Sequence, residues 1–160
     1  MKKQIKIMFM CLGNIIRSPL LHYLLEKRLE EEGLQGKIVV DSCALTSFHV
    51  GEDMDPRMRH LAEREGRPLP KHRAKLFKPE MLKECDYLFV VTKEILEAMQ
   101  ETTTKEEVKK ILLATHFSPE YLDKDIGDPY YGGSNYFLKI FRMVDAIVDD
   151  LVIEFKKRIA

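Results

Sequence analysis

The chain has 160 residues and a mass of 18.7 kDa, the size of one domain that buries about two thirds of its unfolded surface without disulfides or metals. Lysine and arginine together number 26, as do aspartate and glutamate, so no global charge recruits nucleic acid or an anionic membrane. The three cysteines, Cys11, Cys43 and Cys85, lack the spacing of a metal site or a secreted disulfide framework, which favours a reducing compartment. We therefore expect one domain over residues 1–160.

The first predicted element is a strand over residues 5–10. Lys2 and Lys3 precede this apolar run as in a signal peptide, but Lys6 interrupts it, and no small-residue cleavage site follows. No stretch approaches the ~18 apolar residues that a membrane helix needs. We expect a soluble, cytoplasmic protein with no membrane or nucleic-acid partner, present as a monomer or weak dimer.

A short polar loop follows this strand and opens a helix with apolar residues at helical spacing after Pro19. Backbone N–H groups at the start of a helix are unpaired and carry a partial positive charge, so residues 12–18 can wrap an oxyanion. Glycine takes positive φ at no steric cost and asparagine tolerates the left-handed region, so Gly13 and Asn14 suit a loop with inward amides. The pattern predicts an anion cradle.

Cys11 and Arg17 lie at the two ends of this cradle. N–H donors and a fixed cation stabilise a thiolate, Ser18 can donate a hydrogen bond to it, and arginine grips two phosphate oxygens. The pair therefore predicts phosphoryl transfer through a cysteine. The alternative is a buried strand-end thiol beside a solvated arginine, and the strand before and helix after the loop disfavour it.

The rest of the chain alternates strands and helices. Strands are predicted over residues 37–42, 86–91 and 108–113, and helices over residues 55–65, 79–84, 93–100 and 137–155. This order predicts an α/β fold: a four-stranded central parallel sheet with helices on both faces and the phosphate-binding loop after strand one. Ser42, at the carboxyl end of the second strand, is placed to hydrogen-bond this loop.

A second loop, residues 121–133, lacks strand and helix signals and contains three candidate acids. Of Asp123, Asp125 and Asp128, Asp128 is favoured because the proline that follows it, Pro129, fixes the backbone of the turn. Asp125 is the second choice. The simpler interpretation is that Asp-Pro only starts a turn.

Two of these stretches carry a family resemblance. Cys11-Leu-Gly-Asn-Ile-Ile-Arg-Ser-Pro19 resembles the signature loop of the low-molecular-weight protein tyrosine phosphatase family, and Asp128-Pro-Tyr-Tyr-Gly132 resembles its general-acid loop. The similarity spans essentially the whole chain. It implies hydrolysis of phosphotyrosine in proteins, or of small aryl phosphates, with inorganic phosphate as product and neither metal nor organic cofactor.

The resemblance also implies roles for individual residues. Cys11 would be the nucleophile and Asp128 the acid, and the phosphate would be held by the loop, namely Leu12, Gly13, Asn14, Ile15, Ile16, Arg17 and Ser18. Ser42 and His72 would support Asn14, although His72 alone reads more simply as an exposed loop histidine. Phe48 would line the pocket mouth opposite Tyr130 and Tyr131, with a core phenylalanine and surface turn tyrosines as alternatives.

The chain departs from the family pattern at Leu21, His22, Phe48, Val91, Thr92 and Ile95. These departures keep open a non-catalytic phosphopeptide-binding module, although a binder does not need Asp128. A phosphoarginine phosphatase is a closer rival, but similar arginine phosphatases typically carry Thr at the position of Ile15. An arsenate reductase would need a close downstream cysteine pair, whereas Cys43 and Cys85 are isolated in sequence.

Overall fold

The computed structural model of the protein describes residues 4–159, so Lys2 and Lys3 of the signal-like pattern lie outside it. Four strands form a single parallel sheet in the order β2-β1-β3-β4. They are β1 (Ile5–Cys11), β2 (Ile38–Ala44), β3 (Tyr87–Val90) and β4 (Ile111–Leu113). The predicted four-stranded parallel sheet is confirmed.

Five α-helices accompany the described strands: α1 (Arg17–Glu31), α2 (Pro56–Arg64), α3 (Pro79–Glu84), α4 (Lys93–Thr102) and α5 (Ser134–Ile159). Helix α1 packs against α5 and against β1 and β2, whereas α4 packs against β3 and β4, which gives the sheet a helical layer on each face. Helix α2 extends the α5 side. No helix within residues 4–159 combines the length and apolar character needed to cross a membrane.

The strand order determines where a ligand can bind. The chain passes from β1 to β2 on one side and then crosses back to β3 on the other side of β1. Met10 pairs with Cys43 of β2 and with Val90 of β3, so the carboxyl end of β1 lies between those of its two neighbours. Ligands of open α/β sheets bind at such a reversal of strand order, which is where the loop after β1 begins.

The core consists of residues with the predicted periodicity. Phe9 of β1 stacks on Phe89 of β3 with ring centroids 5.7 Å apart, and Phe155 of α5 packs edge-on against Phe89. The inner face predicted for α5 is buried throughout: Ile140, Phe141, Val144, Ile147, Val148 and Leu151. A strand covered on both faces needs a continuous apolar run, and β1 has one.

Element boundaries differ from the prediction by three residues or more in two elements. The predicted fourth strand is strand only from Ile111, because Glu107–Lys110 forms a 3₁₀ turn. Helix α5 is longer than expected at both ends. Two departures from the family pattern have a structural explanation: the Thr92 side chain caps α4 by accepting from the Ile95 amide at 3.2 Å, and the Ile95 side chain is buried in the core.

Candidate active site

The phosphate loop, residues 11–18, joins β1 to α1 and surrounds a buried thiol. Cys11 is the last residue of β1 and is 2% exposed. Its Sγ lies 2.9 Å from Ser18 Oγ and accepts the Asn14 amide at 3.2 Å. The Asn14 amide can only donate, and the Ser18 hydroxyl, which also lies 3.4 Å from the Cys43 carbonyl, can donate to the sulfur when the sulfur is a thiolate, as predicted for Ser18.

Asn14 holds the loop in shape. Its backbone is in the left-handed region, with φ 59°. Its Nδ2 donates to Ser18 Oγ at 2.8 Å and to Ser42 Oγ at 3.1 Å, and its Oδ1 accepts the Lys75 amide at 3.1 Å. Each polar atom of the side chain therefore has a partner, and the side chain ties the loop to β2 and to the segment before α3.

His72 is not an exposed loop histidine. It is 9% exposed, and its Nε2 donates to the Asn14 carbonyl at 2.7 Å, while the Tyr23 hydroxyl lies 2.7 Å from its Nδ1. Burial lowers the pKa of His72, so the neutral ring keeps one proton on Nε2. Burial, with nearby carboxylates, raises the pKa of Tyr23 to about 12, so its hydroxyl keeps its proton and donates to Nδ1. The chain Tyr23–His72–Asn14 thus fixes the tautomer.

His22 is a site residue that the sequence analysis treated only as a departure from the family pattern. It is 8% exposed, with Nδ1 2.9 Å from Ser42 Oγ and Nε2 3.3 Å from the Glu26 carboxylate. The Ser42 hydroxyl thus links Asn14 to His22, and His22 extends the hydrogen-bonded support of the loop to α1. In the sequence, the signal for a role of His22 was that a polar residue occupies the face of α1 whose other residues are apolar.

The expectation for Gly13 was wrong in one respect. Gly13 is not among the glycines with positive φ, and Asn14 alone provides the left-handed turn of the loop. Glycine is required because a Cβ at this position would lie 2.8 Å from Cδ2 of the His49 ring. His49 itself is held by Glu52, whose carboxylate oxygens lie 3.1 Å from Nδ1.

Arg17 connects the phosphate loop to the second loop, residues 121–133, which we call the acid loop. It is 5% exposed and donates from Nη1 to the Ile126 carbonyl at 2.9 Å, while its Nη2 lies 3.4 Å from Asp128 Oδ2. The Ile126 amide in turn donates to the Val91 carbonyl at 2.8 Å, next to the end of β3. This anchoring brings Asp128 over the phosphate loop.

The three candidate acids have different surroundings. Asp125 accepts the Lys93 amide at 2.8 Å and so caps the start of α4. Asp123 lies 3.5 Å from the His116 ring. Asp128 alone of the three lines the cavity above Cys11, with Oδ1 accepting the Tyr130 amide at 3.1 Å and Oδ2 directed at Arg17. The geometry therefore favours Asp128 as the acid over Asp125.

A cavity of about 290 Å³ opens above Cys11. Its lining comprises six residues of the phosphate loop, Cys11, Leu12, Gly13, Ile15, Ile16 and Arg17, together with Phe48, His49, Asp128, Tyr130 and Tyr131. Asn14 and Ser18 lie beneath it and have no solvent exposure. Phe48 is 73% exposed and Tyr131 95% exposed, so Phe48 is a rim residue and not a core phenylalanine.

The two other cysteines are buried away from this cavity. Cys43 pairs with Met10 in the sheet and Cys11 with Ala44, so the two cysteines occupy adjacent register positions whose side chains project to opposite faces. Burial raises the pKa of Cys43 strongly and that of Cys85 to about 11. Within residues 4–159 no group of three or more His, Cys, Asp or Glu side chains could hold a metal ion.

The site combines a buried cysteine sulfur that contacts an amide and a hydroxyl with an arginine and an aspartate above it. It lies where the strand order of the sheet reverses. These features define the cysteine-dependent phosphate-loop class of α/β proteins. The family model described as low molecular weight phosphotyrosine protein phosphatase matches residues 6–160, and the chain belongs to this family.

Individual comparisons agree. A low molecular weight phosphotyrosine protein phosphatase of Schizosaccharomyces pombe is 32% identical over 138 residues, which cover 86% of this chain and 88% of the relative. A crystal structure of a protein tyrosine phosphatase from Entamoeba histolytica, with Hepes in the active site, superposes with a TM-score of 0.90 at 25% identity, covering 96% of this chain and 98% of that one. A Drosophila arginine phosphatase superposes with a TM-score of 0.82 at 25% identity, covering 95% and 98%.

Proposed function

We propose that this protein is a protein tyrosine phosphatase that hydrolyses phosphotyrosine and small aryl phosphates through a phosphocysteine intermediate on Cys11. The observation that carries the proposal is the convergence of three groups on one cavity: the Cys11 sulfur, the Arg17 guanidinium and the Asp128 carboxylate. A phosphate-binding module would use the loop amides and the arginine, but it has no need of an acid beside them.

In the first step the Cys11 thiolate attacks phosphorus in line with the aryl oxygen. A sulfur–phosphorus bond forms as the phosphorus–oxygen bond breaks, and Asp128 transfers its proton to the departing phenolate. The amides of residues 12–17 and the Arg17 guanidinium hold the three remaining phosphate oxygens. Ser18 donates to Cys11 Sγ and so stabilises the attacking thiolate.

In the second step a water molecule attacks the phosphocysteine. Asp128, now a carboxylate, accepts a proton from that water, and the phosphorus–sulfur bond breaks to release inorganic phosphate and the Cys11 thiolate. The same carboxylate therefore acts as acid and then as base. Its Oδ2 is directed at Arg17 while Oδ1 is occupied by the Tyr130 amide, so Oδ2 is the oxygen assigned to both proton transfers.

The cavity walls support an aromatic substrate. Ile15 and Ile16 of the phosphate loop line its lower part, and Phe48, Tyr130 and Tyr131 form its rim. Apolar and aromatic walls stabilise a phenyl ring by contact and stacking. A phosphotyrosine side chain is long enough to place its phosphate at the buried loop while its ring lies between these walls.

Phosphoarginine hydrolysis is the second candidate, favoured by the structural likeness to the Drosophila arginine phosphatase. Phosphoarginine is as long as phosphotyrosine, but its guanidino group is polar. Ile15 gives it only apolar contact, which supports the aryl substrate over the guanidino one.

The test is the release of phosphate from matched phosphotyrosine, phosphoarginine and phosphoserine peptides, with p-nitrophenyl phosphate as the simplest substrate. We expect phosphotyrosine to be preferred and Cys11→Ser to lower turnover on the order of 10⁴-fold or more. Cys85→Ser is the matched control, because this thiol lies outside the cavity, and it should retain activity. Turnover that survives in Cys11→Ser would refute the phosphocysteine mechanism, and a preference for phosphoarginine would reassign the substrate.

A further inference from the structure

A second cavity lies beside the acid loop, between α2 and the start of α5. It has a volume of about 260 Å³. One wall is formed by the side chains of Arg57, His60, Leu61 and Arg64, which share a face of α2 because they are spaced by three, four and seven residues. The other wall is formed by Gly132, Gly133, Ser134 and Phe137.

The charged groups lining this cavity are all basic. No carboxylate belongs to its lining. Arg57 is engaged with Asp55, at 2.8 Å, and lies over the Phe137 ring at 4.6 Å. His60 and Arg64, in contrast, are exposed and have no ion-pair or hydrogen-bond partner within residues 4–159. Among the described residues that line this cavity, the Arg64 guanidinium is therefore the cation without an anionic partner.

The opposite wall adds to this potential. Helix α5 has 26 residues and no acidic residue in its first turn. The Gly133 carbonyl accepts the amides of Tyr136 and Phe137, so Gly133 stands at the cap of the helix and its first amides face outward. The start of a long helix carries a partial positive charge. The unpaired Arg64 of α2 and the partial positive charge at the start of α5 thus favour an anion in the same space.

This second cavity adjoins the one above Cys11. The Arg57 guanidinium carbon is 5.3 Å from the centre of the Tyr130 ring, and Tyr130 lines the Cys11 cavity while Arg57 lines the second one. The Gly132 amide donates to the Pro129 carbonyl at 2.7 Å. The glycines that line the second cavity therefore belong to the acid loop itself. A polypeptide whose phosphorylated residue occupies the first cavity can therefore reach the second.

We propose that the second cavity is an anion subsite for the substrate, which receives a carboxylate or a second phosphate a few residues from the phosphotyrosine in the same polypeptide. The inference rests on the proposed function, since it assigns a substrate class to that activity. It predicts a preference for acidic or multiply phosphorylated sequences in a protein whose net charge is zero and which has no other general attraction to acidic partners.

The experiment uses phosphotyrosine peptides in which a single Glu is moved from three residues before to three residues after the phosphotyrosine. The reference peptide has Gln at the same position, and a second series replaces Glu by phosphoserine. At the favoured position we expect Glu to raise kcat/KM about three- to tenfold over Gln, the range of an exposed to partly buried ion pair. The gain should shrink as salt is raised.

Variants connect the gain to the cavity. Arg64→Ala should remove it and leave kcat/KM for p-nitrophenyl phosphate unchanged, because this substrate is too small to reach the second cavity. Arg142→Ala is the matched control, since Arg142 is an exposed arginine on α5 outside this cavity. Arg64→Glu should reverse the preference, so that a peptide with Lys at the favoured position exceeds the Glu peptide.

The outcomes separate the inference from the proposed function. Hydrolysis of every peptide without an acidic preference at any position would overturn the subsite and leave the phosphatase assignment intact. An acidic preference that persists in Arg64→Ala would place the anion elsewhere and also overturn it. Absence of hydrolysis for both the peptides and p-nitrophenyl phosphate would instead refute the proposed function.

Discussion

The phosphate loop and the rim of the cavity above it are built in opposite ways. Asn14 and Ser18 have no solvent exposure, and each polar atom of the Asn14 side chain is hydrogen-bonded. On the rim, Phe48 and Tyr131 are mostly exposed, and the Asp128 side chain is 40% exposed. The loop is fixed by contacts within the protein, whereas the side chains of the rim leave most of their surface free for contact with a bound molecule.

This difference assigns separate tasks to the two regions. Stabilising charge on a transferring phosphate requires dipoles already in position, since donors that must reorganise during the reaction contribute less. Recognition of a side chain and its surroundings tolerates adjustment, and a rim with few internal bonds can be changed without loss of the fold. Disturbing the loop should therefore cost stability and rate together, while disturbing the rim should change rate or affinity alone.

The largest expected effect tests the one rim residue with a chemical role. Asp128→Asn should lower the rate of phosphocysteine formation about 10²- to 10⁴-fold for phosphotyrosine or phenyl phosphate, because phenolate leaves poorly without a proton. A dinitrophenyl phosphate should lose far less. Single-turnover kinetics measure this step directly, and thermal unfolding should show no large change.

Asp125→Asn is the matched control for this prediction, because Asp125 caps α4 and does not line the cavity. Equal losses across all leaving groups in Asp128→Asn would mean that Asp128 is not the acid. If Asp125→Asn showed the leaving-group dependence instead, the acid loop would be assigned correctly but the residue would be wrong.

The next effect tests the loop. Asn14→Ala removes one hydrogen bond each from Ser42, Ser18 and the Lys75 amide and places a Cβ-bearing residue that cannot hydrogen-bond at φ 59°. At about 1 kcal/mol for each lost hydrogen bond and about 1–2 kcal/mol for alanine in the left-handed region, we expect a loss of about 3–5 kcal/mol in the free energy of unfolding. The misplaced amides should also lower kcat/KM about 10²-fold.

Urea unfolding and phosphate release measure the two losses. Asn135→Ala is the matched control, because Asn135 is exposed and should change stability by less than about 0.5 kcal/mol. A fully stable but inactive Asn14→Ala would show that this residue contacts substrate and does not mainly support the loop.

A smaller effect concerns pH. Burial lowers the pKa of His72, so below the usual histidine value of about 6.5 the unfolded chain binds a proton that the folded chain excludes. The contribution of neutral His72 to stability is therefore present above this pH and is lost as pH falls through the lowered pKa. We expect the free energy of unfolding to decrease between pH 7 and 5 by at most about 1.4 kcal/mol per pH unit from this group.

The measurement is urea unfolding across that pH range. His72→Gln should be less stable at pH 7 and less dependent on pH, whereas His60→Gln, at an exposed histidine without a partner, should follow the wild-type curve. Parallel curves for His72→Gln and wild type would contradict the assigned role of burial.

The smallest effect is expected at the rim. Phe48→Ala should raise KM for a phosphotyrosine peptide about two- to tenfold, the value of one aromatic contact, and leave the midpoint of unfolding unchanged because the side chain is 73% exposed. Phe48→Tyr should restore KM. A clear loss of stability in Phe48→Ala would show that the rim contributes to the stability of the fold and not only to binding.

The amino-acid sequence by itself was sufficient for the sheet, the helices and the phosphate loop. These features depend on local signals: the apolar run of β1, the spacing of Cys11 and Arg17, and the left-handed glycines Gly33 and Gly66 that end α1 and α2. Each signal lies in the sequence of the element that it specifies or within a few residues of it. The predicted fold was therefore correct even where element boundaries shifted by a few residues.

The resemblance implied that Ser42 and His72 support Asn14, but only the tertiary structure decided the individual contacts that hold the site. His72 reaches the Asn14 carbonyl across 58 positions of sequence, and Arg17 reaches the Ile126 carbonyl across 109. The role of His22, the exposure of Phe48 and the requirement for Gly13 beside His49 depend in the same way on neighbours that are distant in sequence. A periodic pattern shows which face of an element is buried, but not which distant side chain lies against it, because folding the whole chain brings those partners together.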